Sequence, residues 1–384
     1  MHVLVHGLAI TGASTVRALQ RRGHDVSVTD DAITDDTSAL AAELGVAVAP
    51  PPVDDELVDW IGRFDLCSPA PGIPERHPVV LAAQAAGVAV WSEIEIAYRW
   101  EQERASGPRP ILAITGTDAK TSTTELTVAI LRAAGLHTAA LGNTDVPLLD
   151  AIDDDRFDAF VVECTSFRLA FTEQFRADAA VWLNLAPDHL NWHTSLATYE
   201  AAKAKLFDHQ RATDVAIGYA GDPVVMRHLE VAPGRHRTFE DSGDVDYSVA
   251  DGWLIGPTGR IAPTSEMRRR LPHDLTNALA ASALVLETGL ADADAIARAV
   301  ATFEPPEHRH APIGESGDVV WNNDSQATPP HAAATALRAF DSLVLIAGGS
   351  RKGVDLRPMS EDAARVRAVV AIGEAAGEVR GVFT

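Results

Sequence analysis

The chain has 384 residues, 46% of them hydrophobic, and 32 basic against 54 acidic side chains give it a formal net charge of -22. That length exceeds one ordinary core and predicts two or three domains; the charge argues against a nucleic-acid or membrane surface, which needs clustered cations. No apolar run reaches the roughly 20 residues of a membrane span, so a cytoplasmic protein is expected, and Cys67 and Cys164 lack disulfide or zinc spacing and read as small buried residues.

Residues 2–31 read as a strand, a glycine-bearing turn, a helix with apolar Val16 and Leu19, and a second strand ending at Asp30, which is a β-α-β unit in outline. Its turn, GLAITG, has Ala9 where a dinucleotide fingerprint carries its middle glycine. Two readings stay open for it: a nucleotide-sugar diphosphate at the helix amino terminus, with Asp30 near a ribose or base, or an ordinary tight turn. DLCSPAPGIP predicts a short strand ended in a loop by Pro and Gly, and the linker ASGPRP closes a first domain at residues 1–107.

A second domain, 108–304, opens with ILAITGTDAKTSTT. A buried strand delivers a Gly-Thr loop and Lys-Thr to a helix. Backbone N–H groups there favour an anion, Lys120 can reach β and γ phosphates, and the Thr121 hydroxyl can ligate Mg²⁺. FDAFVVECTSF and ADAAVWLNLAPDH are further strands that place Glu163 and His189 just beyond their ends, where ligands of α/β sheets collect. A carboxylate and an imidazole so placed could complete a metal site, with Asp188 and His193 as positioning groups. Only four lysines occur, Lys120, Lys203, Lys205 and Lys352, so each marks a place where arginine does not serve. ADADAIARAVA reads as a solvated helix face. From EPPEHRHAP onward the alternation restarts, with VVWNND, HAAATALRAF, SLVLIAGGSRKG and VRAVVAIG predicting a third α/β unit over 305–384.

In order along the chain, GTDAKT, ECTSF, APDHLNWH, YEAAKAK, HDLTNALAA, EHRH, NDSQAT and AGGSRKG resemble the Mur ligases over nearly the whole length. The resemblance implies an α/β protein of three domains: a Rossmann-like UDP-binding domain, a P-loop central domain for ATP, and an incomplete Rossmann-like carboxy-terminal domain for the incoming amino acid. It implies an ATP-dependent ligase that adds D-glutamate to UDP-N-acetylmuramoyl-L-alanine in peptidoglycan precursor synthesis, acting as a monomer without nucleic acid or membrane. UDP would lie against Ile10, Thr11, Asp30 and Gly72, with Asn143 nearer the muramoyl part and Thr165 also facing substrate. ATP would contact Gly116, Thr117, Asp118, Ala119, Lys120, Thr121 and Ser122 in the loop, Asn277 and Arg309 at adenine, and Asp324 at ribose. Thr328 and Lys352 would receive the D-glutamate carboxylates. Thr121, Glu163, His189 and Lys203 would hold Mg²⁺, with Lys203 carbamylated, and Lys120, His189 and Lys203 would form the catalytic group.

The sequence departs from the family pattern at several points. The family loop reads Gly-Thr-Asn-Gly-Lys; here Asp118 replaces the amide and Ala119 the glycine. A positive φ at residue 119 would cost about 1–2 kcal/mol for a β-carbon. An ionised Asp118 about 5 Å from a phosphate would add repulsion of about 3 kcal/mol unless a hydrogen bond or metal absorbs it. Gln326 stands for a lysine and Asp145 for a glycine, and the family pattern runs on past Thr384. These departures keep a second reading in view, a relative that binds a UDP-sugar without catalysis. A dinucleotide-dependent dehydrogenase, suggested by residues 3–31 alone, leaves the 114–124 loop unexplained.

Overall fold

The computed structural model describes residues 1–53, 56–327, 330–350 and 355–383. The first sheet is parallel and five-stranded, with β1 (His2–His6), β2 (Asp25–Thr29), β3 (Val48–Ala49), β4 (Leu66–Pro69) and β5 (Ala89–Val90) in the order β3-β2-β1-β4-β5. Helices Ile10–Arg21, Asp35–Leu44, Glu56–Ile61 and Pro78–Ala85 make the connections. The order reverses between β1 and β4, and a crevice for ligands opens at such a switch, beyond the carboxyl ends of the strands. The expected β-α-β opening and the short strand at Leu66–Pro69 are both present.

The central sheet holds β6 (Ile111–Thr115), β7 (Ala140–Gly142), β8 (Phe160–Glu163), β9 (Ala179–Trp182), β10 (Val215–Tyr219) and β11 (Arg235–Phe239) in the order β11-β10-β9-β6-β8-β7, all parallel. Its inner strands β6, β8 and β9 are buried on both faces because both faces are covered, while the edge strand β11 is polar and half exposed. Along β6, Ile111 and Ala113 pack into one core with Phe160, Val162 and Trp182, while Leu112 and Ile114 pack into the other with Leu126, Ile130 and Leu284. That alternation is the two-residue period of a strand. Helices Lys120–Ala133 and Pro272–Thr288 supply the second core. Cys67 and Cys164 are fully buried, as their composition predicts.

Three elements differ from the sequence expectation. Helix Ala293–Thr302 is not simply a solvated face: Ala295, Ile296, Ala299 and Val300 are buried in the second core, because its apolar residues recur at helical spacing between the acidic ones. An antiparallel meander, β12 (Ser248–Ala250), β13 (Trp253–Gly256) and β14 (Gly259–Pro263), was not anticipated. The third unit is also divided. VVWNND forms β16 (Val319–Asn323) in an antiparallel hairpin with β15 (Ala311–Ser316), and only β17 (Leu343–Gly348) and β18 (Val366–Ile372) pair in parallel. The tight turn between β15 and β16 contains Gly317, whose φ of +59° lies in the left-handed region that glycine adopts at no steric cost. No helix among the described residues is long and apolar enough to cross a membrane.

Candidate functional site

The loop after β6 sits at the carboxyl edge of the central sheet, flanked by the ends of β8 and β9. Asn184, just past β9, holds its shape: the Asn184 Oδ1 accepts from the backbone N–H groups of Thr117 and Asp118, each at 2.9 Å. The Thr117 hydroxyl donates to the Ala186 carbonyl at 3.1 Å and lies 3.0 Å from the Tyr199 hydroxyl. A β-carbon on Gly116 would lie 3.0 Å from the Asp118 carbonyl oxygen and from the Leu183 Cβ, a tight fit that favours glycine there. Ala119, the N-cap of helix Lys120–Ala133, does adopt the left-handed region, with φ +68° and ψ -3°. The strain expected from its methyl group is therefore present. The charge of Asp118 does find a partner, since His331 Nδ1 donates to Asp118 Oδ2 at 2.8 Å.

Two lysines converge on this loop. Lys120 Nζ donates to the carbonyls of Gly116 and Thr117, both at 2.8 Å, and Lys203 Nζ donates to the same Gly116 carbonyl at 2.7 Å. Lys203 is 1% exposed on helix Leu196–Asp208, and burial followed by the nearby Lys120 charge depresses its basicity well below the usual lysine value. Burial also lowers Lys120, against the opposing charges of Glu163 and Asp118. Lys205, two residues along the helix, turns away and donates to the carbonyls of Ala170 and Thr172 at 2.7 and 3.0 Å.

Glu163, the last residue of β8, is 1% exposed. Its Oε1 accepts from Asn143 Nδ2 at 2.8 Å, but Oε2 is buried without a hydrogen-bond partner. A buried carboxylate oxygen left in that state is costly, and a cation is a natural partner for it. The donor set thus fits a magnesium ion, with the Thr121 hydroxyl on the neighbouring helix turn. His189 also has a positive φ, +55°; its ring lies edge-on to Phe167 at 4.7 Å and its Nε2 is 3.3 Å from Asp188 Oδ2. Its ring is 6.2 Å from that of Tyr199, which lines the Lys203 amine. His193 is buried between Ser166 Oγ, 2.9 Å, and Glu75 Oε2, 3.3 Å, and burial lowers its basicity.

Ser122, Leu126, Met267, Asn277, Phe303 and Pro305 line one cleft beside the helix that starts at Lys120. Arg309 Nη2 donates to Thr121 Oγ1 at 3.3 Å. Asp324 accepts the His310 backbone N–H at 3.1 Å and lies 3.2 Å from His310 Nε2; burial raises its carboxyl. On the substrate side, Ile10 is 68% exposed at the start of its helix, and a β-carbon at Gly72 would meet open space. Asp30 uses its carboxylate to accept the N–H groups of Leu8 and Ala32 at 2.7 and 3.0 Å, so it shapes the turn around the crevice. The Thr165 hydroxyl caps the helix Ser166–Ala170 by accepting the Arg168 N–H at 3.4 Å. Thr328 and Lys352 lie outside the described residues.

Sequence reasoning missed Arg168. Buried on the helix after β8, it donates to Asn143 Oδ1 at 2.9 Å, to Thr11 Oγ1 at 3.3 Å and to Glu93 Oε1 at 3.3 Å. It therefore ties the partner of Glu163 to the first helix of the chain. Its only sequence signal is an arginine, without a nearby acid, in the run that follows ECTSF. Asn184 was missed for a similar reason, since one amide among polar loop residues carries no pattern.

Comparison with known proteins agrees with this arrangement. Residues 114–285 match the Mur ligase middle domain and residues 1–92 the Mur ligase MurD-like N-terminal domain. A protein of Frankia casuarinae named UDP-N-acetylmuramoylalanine–D-glutamate ligase is 37% identical over 394 residues, covering 98% of this chain and 80% of its own. One of the same name from Streptomyces coelicolor is 34% identical, covering 97% of this chain and 82% of its own. Among solved structures, MurF of Thermotoga maritima in complex with ADP aligns with a TM-score of 0.59 at 15% identity over 98% of this chain and 82% of its own, a likeness of fold alone. With that identity over nearly its whole length, the chain belongs to the Mur ligase family and carries a MurD-like N-terminal domain.

Proposed function

We propose that this chain is an ATP-dependent amide-forming ligase that adds D-glutamate to UDP-N-acetylmuramoyl-L-alanine in peptidoglycan precursor synthesis. The observation that carries the reading is the convergence of Lys120, Lys203 and the unpartnered Glu163 Oε2 around one glycine-bearing loop, in a chain whose relatives bear that name. The domain limits that go with it are 1–107 for UDP, 108–304 for ATP and 305–384 for the amino acid. The protein would act as a cytoplasmic monomer.

Lys120 would leave the carbonyls of Gly116 and Thr117 for the β and γ phosphates, with the loop N–H groups and helix amino terminus completing the cradle. Thr121 and Glu163 would hold one Mg²⁺, and His189 with a carbamate on Lys203 a second. Magnesium there would neutralise charge building on the transferring phosphoryl group. The depressed basicity of Lys203 supplies the neutral amine that carbamate formation requires. The L-alanyl carboxylate oxygen would bond to the γ-phosphorus as ADP leaves. The D-glutamate amine would then attack the acyl carbon and expel phosphate, losing its extra proton to solvent. Asn277 and Arg309 would face adenine and Asp324 the ribose, while Ile10, Thr11, Asp30, Gly72, Asn143 and Thr165 would line the UDP-sugar side. Thr328 and Lys352 are assigned to D-glutamate by resemblance.

Purified protein with ATP, Mg²⁺, UDP-N-acetylmuramoyl-L-alanine and D-glutamate should release phosphate only when all four are present. Absence of release at high enzyme and millimolar ATP would remove the catalytic reading. The left-handed Ala119 favours one alternative, a relative that holds the UDP-sugar without turnover. Calorimetric heat with the UDP-sugar and none with ATP would select it.

A further inference from the structure

At the carboxyl end of the first sheet three side chains from three separate elements meet. His6 ends β1, Asp31 follows β2, and His77 is the N-cap of helix Pro78–Ala85. His6 Nε2 lies 3.6 Å from Asp31 Oδ1 and His77 Nε2 lies 2.8 Å from Asp31 Oδ2. The two imidazole rings are 4.7 Å apart, and the three ligand-capable atoms all lie within 4.8 Å of one another. We propose that His6, Asp31 and His77 form a binding site for a borderline divalent transition metal of the Zn²⁺ class, separate from the phosphate loop.

The first support is the state of His6. Its side chain is 0% exposed, yet Nε2 has no hydrogen-bond partner. Nδ1 sits 2.9 Å from the Thr29 hydroxyl. With Nδ1–H donated to Thr29, the Nε2 lone pair faces the cluster, and an outer hydrogen bond of this kind fixes the tautomer of a metal-binding histidine. A buried polar atom with nothing to bind is otherwise a cost without a return.

The chemistry of the set selects the metal. Two imidazoles and one carboxylate suit Zn²⁺, Co²⁺ or Ni²⁺, whereas Mg²⁺ and Ca²⁺ prefer all-oxygen shells. Tetrahedral bonds of about 2.0–2.1 Å place ligand atoms about 3.4 Å apart, so the cluster needs only a modest contraction. Asp31 and His77, with side chains 52% and 15% exposed, sit on the rim, where a small shift can supply it. His77 exchanges one arrangement for another: its Nε2–H now points at Asp31 while Nδ1 accepts a long 3.3 Å bond from the Val79 N–H. Metal at Nε2 moves the ring hydrogen to Nδ1 and releases that weak contact.

The test is a titration of the chelator-stripped full chain with Co²⁺, read by visible absorption, followed by displacement with Zn²⁺. One equivalent should give the intense bands of a four-coordinate site, and Zn²⁺ should abolish them. Asp31→Asn and His77→Gln, both on the rim, should each weaken binding at least about tenfold. Glu163→Gln should leave the signal intact, since it touches the other site. Lack of absorption, or binding unchanged in both rim variants, would overturn the proposal; the melting temperature of each variant certifies that it is folded.

Discussion

The carboxylate of Asp118 accepts a hydrogen bond from His331 Nδ1 at 2.8 Å, across 213 residues of sequence. The loop candidate for phosphates is thereby joined to helix Pro330–Arg338 in the last third of the chain. The anion that would repel a phosphate is thus held by a hydrogen bond from the imidazole. For a pair that is 21% and 40% exposed the contribution is about 0.5–1 kcal/mol.

Replacing His331 by Ala should therefore raise the ATP dissociation constant about two- to fivefold. In an Asp118→Asn background the same replacement should do almost nothing. Ala119→Gly should tighten ATP about fivefold or more by relieving the left-handed methyl. Calorimetric titration of the parent, the three single variants and the double variant decides it: additive effects of His331→Ala and Asp118→Asn would show the pair to be idle.

Glu163→Gln keeps the hydrogen bond from Asn143 and removes the charge whose Oε2 is buried without a partner. The folded chain should be about as stable as the parent, because the buried charge whose Oε2 makes no hydrogen bond is lost together with its attraction for Lys120. Phosphate release should fall at least about a hundredfold, and Mn²⁺ binding with nucleotide should weaken in parallel. A variant with full turnover would remove Glu163 from the metal site.

Arg168 and Glu93 form an ion pair whose side chains are 5% and 1% exposed. Burial pushes the Glu93 carboxyl up and Arg168 pulls it back. Arg168→Met should destabilise the fold by about 3–5 kcal/mol in urea unfolding, since it strands a buried carboxylate. Adding Glu93→Leu should recover most of that loss. If the double variant is as weak as the single, the packing of the arginine stem, and not its charge, holds this junction.

The histidine of the proposed metal site gives a pH signature when chelator is present. His6 titrates at about 4 in the folded chain against 6.5 when free. Between those values the unfolded chain binds the proton more readily, so stability falls as pH drops from 6.5 toward 4 and the loss is complete below both. The amount is up to about 3 kcal/mol. Melting curves of parent and His6→Gln over this window should diverge, with the flatter profile in the variant; parallel profiles would mean that His6 is not the titrating group.

The strands β1, β2, β4, β6, β8 and β9 and the loop after β6 were legible because each strand is a short apolar run that gives way to polar, Gly or Pro residues, whereas β7, β10 and the polar edge strand β11 were not anticipated. The hairpin of β15 and β16 and the meander from Ser248 to Pro263 were not, since short half-exposed strands carry little periodicity and their pairing is decided by turns. Helix Ala293–Thr302 was misjudged by composition: its acids announce a wet face and hide Ile296 and Val300 on the other. Within the site, Lys120, Glu163 and Lys203 stood out because a motif or a rare residue type marked them. Arg168 and His331 did not, because their partners Thr11 and Asp118 are 157 and 213 residues away and only folding brings them together.

The carbonyl oxygen of Gly116 receives both lysine amines, Lys120 at 2.8 Å and Lys203 at 2.7 Å. Were Lys120 to swing toward an anion, that oxygen would keep one donor, and Lys203, whose basicity burial depresses most, would be freed of the smaller depression that the neighbouring cation adds. A single peptide group thus acts as a shared anchorage, through which events at one amine retune the proton affinity of the other.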